Sequence, residues 1–321
     1  MNTLSNQVRE VLQSEATLEN KVSNLVMLGM TEVDVENAIN AFVREVLQRQ
    51  CPKPDKKRAL VTLGLETEEI EYLFKEKEDY TIGVEIECYN VDRDTLIRIA
   101  GEKGVVIQSE DYNHDTRIHY KVVRDSSIHG DKGVECVSPV LKGKKGLQSL
   151  KLVCDSLNEA GAKVNKSTGL HIHVGLQNFS DEQYKNIFVN YYFLEGAIDK
   201  FIAKSRRDNA NTYCQSLWQA NVAECRFLNC ETREDFKYIF NNRRYFKVNP
   251  LSFERHSTLE FRHHQGTTDY TKIEAWLKFV CELIKWSKIN RLEACIDKIE
   301  DIPFLTGKVK KYFINRAAAL A

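Results

Sequence analysis

Four short stretches of this sequence carry acid, imidazole or guanidinium groups inside otherwise apolar runs. In Gly83-Val84-Glu85-Ile86-Glu87-Cys88 apolar and acidic residues alternate with period two, which predicts a strand with Glu85 and Glu87 on one face. At a rise of ~3.3 Å per residue the two carboxylates stand about 7 Å apart. Their repulsion at an effective dielectric of 20 is about 2 kcal/mol, small on a solvated face and serious in a pocket. Gly133-Val134-Glu135-Cys136-Val137-Ser138-Pro139 carries one acid, Glu135, in an apolar run. Thr168-Gly169-Leu170-His171-Ile172-His173-Val174-Gly175 puts His171 and His173 on one face, between glycines that let a ligand approach the backbone. Thr258-Leu259-Glu260-Phe261-Arg262 puts a carboxylate and a guanidinium on one face.

Each stretch alone has an ordinary explanation: an outer sheet face, a hydrogen-bonded pair of core histidines, or a cross-strand ion pair worth little at a surface. Gathered on one sheet face, however, they would collect three to four carboxylates in one cleft, which only cations make stable. Such sites hold hard divalent ions such as Mg²⁺ through a few acids plus phosphate oxygens. Arg262, with the arginines of Ser205-Arg206-Arg207 and Asn242-Arg243-Arg244, supplies forked donors for phosphate or carboxylate groups. Acids, metal and arginines together point to nucleoside triphosphate chemistry. No G-x-x-x-x-G-K-[ST] or G-x-G-x-x-G run occurs, which argues against a P-loop, a dinucleotide fold and a kinase glycine loop. Two other readings compete. His171 and His173 with Glu85 and Glu260 could hold a zinc ion that activates water for hydrolysis. Alternatively the sheet is a non-catalytic scaffold and the N-terminal region is the working part, as an interaction module.

The elements that must position these groups are set by periodicity. Strands are expected at 81–88, 104–109, 117–124, 133–138, 169–175, 245–253 and 257–263. The adjacent runs 117–124/133–138 and 245–253/257–263 read as hairpins, so residues 79–321 form an α+β domain on an antiparallel sheet. Leu147, Leu150, Val153 and Leu157 mark a helix face ending at Gly161. Ser180 with Gln183, and Thr271 with Glu274, have capping-box spacing and open two long helices. His263 and His264 come directly after Arg262, and alternation sends them to opposite faces, so at most one reaches a site there. Cys214 lacks an identifiable base and reads as structural.

Residues 1–78 are helical in pattern. Leu25-Val26-Met27-Leu28-Gly29-Met30 recurs as Leu60-Val61-Thr62-Leu63-Gly64-Leu65, an offset of 35 residues that fits one helix–turn–helix unit. Cys51-Pro52-Lys53-Pro54-Asp55 separates the copies, its prolines excluding helix. The repeat is a candidate surface for self-association or for a protein partner, or a cap packed on the α+β domain. It carries 10 basic and 14 acidic residues, and the whole chain 46 of each, so no strongly basic surface for nucleic acid is expected. The 321 residues hold no run of ~18 apolar residues and no signal-peptide layout at Met1–Ser5. Nine scattered cysteines without a C-x-x-C pair fit a reducing compartment, so a cytoplasmic protein is expected, with no membrane partner.

In order along the chain, Gly83–Glu87, Asp125-Ser126-Ser127-Ile128 with Glu135–Pro139, Thr168–Val174 and Glu260-Phe261-Arg262 resemble the putative amidoligase family over roughly residues 80–290. That family is grouped with carboxylate–amine ligases related to glutamine synthetase and glutamate–cysteine ligase. The resemblance implies a curved antiparallel sheet of glutamine-synthetase-like type flanked by helices, and an ATP-dependent amide-forming enzyme with Mg²⁺, or Mn²⁺ in its place. Its partners would be a small-molecule or peptide carboxylate and an amine acceptor. Carried over by position, Glu85, Glu87, Glu135 and Glu260 look like metal ligands, and His171 or His173 like a metal or phosphate contact. Arg262 looks like the group that meets the transferring phosphate, and Asp125 like an acid of the catalytic turn. Arg206, Tyr213 and Arg243 resemble nucleotide or acceptor contacts.

Overall fold

The computed structural model describes residues 5–49, 51–67, 70, 80–218 and 224–321. The chain divides into two compact units, Met1–Glu78 and Asp79–Ala321. In the first, α1 (Asn6–Gln13), α2 (Leu18–Met27) and α3 (Glu32–Gln48) each begin after a hydroxyl residue, Ser5, Thr17 or Thr31, whose side chain accepts a backbone N–H three residues on. α4 (Lys53–Leu63) starts directly after Pro52, with Pro54 in its first turn. The prolines therefore open a helix instead of excluding one, because first-turn N–H groups have no intrahelical acceptor to lose. Leu25 and Leu60, equivalent in the repeat, are both buried in a core with Leu12, Phe42, Val46 and Leu63. Gly29 and Gly64 take φ of +87° and +103°, the left-handed conformation that ends each helix. The helix expected after Gly64 falls largely outside the described residues.

Among its described residues the second unit contains seven strands: β1 (Ile82–Cys88), β2 (Ile107–Ser109), β3 (Tyr120–Arg124), β4 (Val134–Val137), β5 (Gly169–Gly175), β6 (Val248–Asn249) and β7 (Thr258–Gln265). They form one open sheet in the order β2-β3-β4-β1-β5-β7-β6, and every neighbouring pair is antiparallel except β2 with β3. The helices are α5 (Arg93–Glu102), α6 (Gly143–Glu159), α7 (Asp181–Phe201), the short α8 (Glu224–Leu228), α9 (Asp235–Ile239) and α10 (Ser252–His256), then α11 (Tyr270–Ser287) and α12 (Gly307–Leu320). Among the described residues no helix is long and apolar enough to cross a membrane.

Alternation along the strands separates two faces. Val84, Ile86, Cys136, Leu170, Ile172, Leu259 and Phe261 point to one side and join Leu150, Val153 and Leu157 of α6, Ile187, Leu194 and Ile198 of α7 and Trp276 and Val280 of α11 in a single core. The other side takes the polar groups. There Glu85 lies opposite Val137 and His171, Glu87 opposite Glu135, His173 opposite Gly83 and Glu260, and Asn249 opposite Glu260. Directly opposed residues share a face, so register alone brings together groups that the chain spaces widely.

Three local expectations change. The 245–253 run is strand only over Val248–Asn249, because Pro250 has no N–H for the ladder and the Asn249 side chain accepts from Leu251 N at 2.9 Å, starting the turn into α10. The cap of α11 is Asp269, whose side chain accepts from Thr271 N, so Thr271 is already inside the helix. The β5–β7 register shifts between Leu170 and Ile172, a bulge that places an extra residue in β7 beyond Phe261. Both His263 and His264 consequently turn to the helix side, the first bonded to Tyr191 and Asp199 and the second packed against Trp276. Neither reaches the polar face. The capping box of Ser180 and Gln183 forms as expected.

Candidate functional site

A cleft of about 1370 Å³ opens over the polar face of the sheet, lined by Glu85, Glu87, Glu135, His171, His173, Glu260 and Arg262, with Asp125 from the turn after β3. Glu85 Oε2 lies 2.9 Å from His171 Nδ1 and its Oε1 lies 3.3 Å from His173 Nε2. Glu260 Oε1 stands 3.6 Å from His171 Nδ1 and 3.9 Å from His173 Nε2. Glu87 Oε2 accepts the backbone N–H of Gly169 at 2.5 Å, and its Oε1 is 3.5 Å from His171 Nε2. Asp125 Oδ1 accepts from the N–H and the hydroxyl of Ser127, at 2.8 and 2.7 Å, which fixes the carboxylate at the edge of the floor.

Three overlapping donor sets result: Glu85 with His173 and Glu260, Glu85 with Glu135 and His171, and Glu87 with Asp125 and Glu135, each with ligand atoms within 4.8 Å of one another. His171 Nε2 and His173 Nε2 are buried without a hydrogen-bond partner. A bound cation would satisfy such atoms, and oxygen-dominated sets of this kind suit hard divalent ions.

Arg262 donates from Nη1 to Glu260 Oε1 at 2.5 Å and from Nε to the Tyr213 carbonyl at 3.3 Å. Asn249 Nδ2 donates to the other Glu260 oxygen at 2.5 Å. Arg206, on the 3-10 turn Lys204–Arg206, is 2% exposed, and its Nε and Nη1 have no hydrogen-bond partner. A buried cation with unused donors is costly until an anion meets it. Gly169 makes room for this group: a Cβ there would lie 2.7 Å from Arg206 Nη2 and 2.8 Å from His171 Nε2. Arg243 is not part of the cleft. Its guanidinium donates to Gln215 Oε1 at 2.8 Å and lies over Phe246, and Arg244 lines the cleft instead, after a turn in which Asn241 and Asn242 both have positive φ.

The electrostatics are decided by burial against partners. Burial pulls the Glu85 carboxyl up, but His173 and His171 beside it outweigh that and hold it well below the usual range. Glu260 also ends low, burial being overcome by Arg262 and His173. Glu135 goes the other way, pushed well above the carboxylate range by burial and by facing Glu85, Glu87 and Asp125. Against burial, Glu85 and Glu260 raise His173, and Glu260, Glu85 and Glu87 keep Arg262 charged. Opposed shifts on neighbouring acids are characteristic of functional sites. Cys214 is buried, its thiol pushed up by burial and directed at the Arg262 carbonyl, which leaves it a packing role.

Sequence reasoning missed Asn249, which reads only as a turn residue before Pro250, and of the Arg243-Arg244 pair it singled out Arg243, the two being indistinguishable by type.

An α+β chain whose sheet gathers acids, imidazoles and arginines on one face of a cleft has the make-up of an enzyme. Its class is a ligase: the chain belongs to the putative amidoligase family, whose model, described as a putative amidoligase enzyme, matches residues 78–284. No curated protein matches the chain significantly.

Proposed function

We propose that the protein joins a carboxylate to an amine with cleavage of ATP to ADP, through an acyl phosphate. The observation carrying this reading is the convergence on one cleft floor of Glu85, Glu87, Asp125, Glu135 and Glu260 with two histidines whose Nε2 atoms are unpartnered and two buried arginines, Arg206 and Arg262. Glu85, Glu87, Glu135, Glu260 and His171 would hold Mg²⁺ or Mn²⁺, with Asp125 completing the Glu87–Glu135 set. Bound there, the ions would neutralise phosphate oxygens and polarise the transferring phosphoryl group.

The chain's own groups do the rest. Arg262, fixed by Glu260 and the Tyr213 carbonyl, presents its remaining N–H groups where charge builds on the phosphoryl oxygens. Arg206 and Arg244 anchor further anionic groups of nucleotide or carboxylate, with His173 as a phosphate contact. A free carboxylate is a poor acyl donor. Phosphorylation makes its oxygen a leaving group, the amine attacks, the C–N bond forms as the C–O bond to phosphate breaks, and the amine loses a proton. A sheet of glutamine-synthetase-like curvature would accord with this chemistry. The zinc-hydrolase reading fares worse, because it employs His171, His173, Glu85 and Glu260 and leaves the Glu87–Asp125–Glu135 set and the buried, unpartnered Arg206 donors without a task.

Incubation with Mg²⁺-ATP and pools of carboxylates and amines should release ADP only when both are supplied. Glu85→Gln and Arg262→Ala should each abolish that release while the protein stays folded. No ADP release from any pool, together with no rise in melting temperature with Mg²⁺-ATP, would end this reading.

A further inference from the structure

Beside the main cleft lies a smaller pocket of about 180 Å³ that opens from it past Glu85, Glu135 and His173, residues that line both. Its floor is the same sheet face continued past Gly83, where the missing side chain leaves the surface open opposite His173. The walls mix hydroxyl and amide groups, among them Thr81, Thr116, Gln177 and Thr258, with apolar Val137, Pro139 and Val140, and His114 and His256 line this pocket and the cleft alike. The lysine in its wall, Lys121, is already committed, donating to the Asn113 carbonyl at 3.0 Å, Asn113 Oδ1 at 2.7 Å and the Asp115 carbonyl at 2.8 Å. An ammonium has three donors, so none is left for an incoming anion. His173 Nε2, at the opening, is buried without a hydrogen-bond partner.

The committed lysine thus offers an incoming anion no hydrogen bond, while Glu85, the threonine hydroxyls and the Gln177 amide oxygen can accept from a donor. At 180 Å³ the pocket is too small for a nucleotide and large enough for a short aliphatic group. It meets the cleft at Glu85 and Glu135, whereas buried Arg206 lines the cleft alone.

We propose that this side pocket holds the acceptor: a small primary amine, its nitrogen at the Glu85–Glu135 opening and its substituent among the hydroxyl and amide walls. This rests on the ligase reading. It adds that the acceptor is a compact amine, and that it reaches the activated carbonyl from the carboxylate side of the floor while the carboxylate donor lies toward the arginines. The acids at the opening would accept hydrogen bonds from the amine and orient its lone pair.

The test uses the full chain saturated with Mg²⁺-ADP, titrated by calorimetry with n-propylamine and separately with acetate. Thr116→Trp and Val140→Trp place bulk in the pocket from two different segments, so either variant suffices if the other does not fold. Each is expected to weaken propylamine binding at least tenfold and to leave acetate and Mg²⁺-ADP binding within twofold. Propylamine binding that is absent in the parent protein or unchanged in the folded variants would overturn the proposal, as would selective loss of acetate binding. Failure of the parent to bind Mg²⁺-ADP at all is a different result: it would remove the ligase reading beneath the proposal.

Discussion

Beneath the strand that carries Glu260 and Arg262 lies a buried ion network whose disruption has a calculable effect. Lys247 has a side chain 0% exposed and donates to Glu195 Oε1 at 2.9 Å and to Asp199 Oδ1 at 2.8 Å, the two acids being 1% and 15% exposed. Replacing it in Lys247→Met keeps the volume and removes the charge. Asp199 retains His263 at 2.6 Å and the Asp208 N–H at 3.0 Å, and sits nearer to solvent. Glu195, the deeper of the two, keeps neutral donors, the Leu217 N–H at 2.9 Å and the Ser216 side chain. The orphaned charge is therefore chiefly Glu195, which burial already drives upward in pKa. Breaking one side of a buried pair costs about 3–5 kcal/mol. At ~2–4 °C per kcal/mol for a unit of this size, melting should fall by roughly 6–20 °C. Adding Glu195→Gln keeps the acceptor for Leu217 and should restore at least ~2 kcal/mol, read by urea denaturation followed by circular dichroism. A loss under ~1 kcal/mol, or no recovery in the double variant, would refute the account of where the charge sits.

Three further outcomes are expected. Gly169→Ala would press a methyl against Arg206 Nη2 and His171 Nε2, at 2.7 and 2.8 Å, so ADP release should drop more than tenfold for about 1–3 kcal/mol of stability; parent-like turnover would contradict the close approach. Glu135→Gln removes an acid that faces three others, so the metal-free protein should melt higher while Mg²⁺ no longer raises its melting temperature; an unchanged Mg²⁺ response would take Glu135 out of the ion site. His263 and His264 are pushed down to about 3, His263 by burial and Lys247 and His264 chiefly by burial. The folded state thus binds fewer protons than the unfolded state between that value and the unfolded ~6.5. Their contribution is whole above pH ~6.5 and is lost as pH falls toward 3, at up to about 1.4 kcal/mol per pH unit for each. His264→Gln should flatten the pH 6.5-to-5 slope by about one proton, and an unaltered slope would show that His264 already carries its charge.

The acids and imidazoles on β1 and β5 were legible because period-two alternation is a local signal, and so was the sharing of a face by Glu260 and Arg262. The capping box at Ser180 was legible for the same reason, since its partners are three residues apart. What the sequence could not disclose depended on pairing. The β7 bulge arises from its register against β5, and it turns His263 and His264 inward together although simple alternation separates them. Arg243 and Arg244 differ only in which side of a turn each leaves. Lys247 reads as a surface lysine until α7 supplies Glu195 and Asp199.

The charged floor is assembled from strands that begin at residue 82 and end at 265, and the two acids of the first strand meet their partners only when the neighbours on both sides are in place. A truncated product ending before residue 245 would possess Glu85, Glu87, Glu135 and both histidines yet lack the arm that supplies Glu260 and Arg262. A nascent or clipped chain of that length would therefore carry an incomplete floor, its two histidines deprived of Glu260 and of the guanidinium that Glu260 holds.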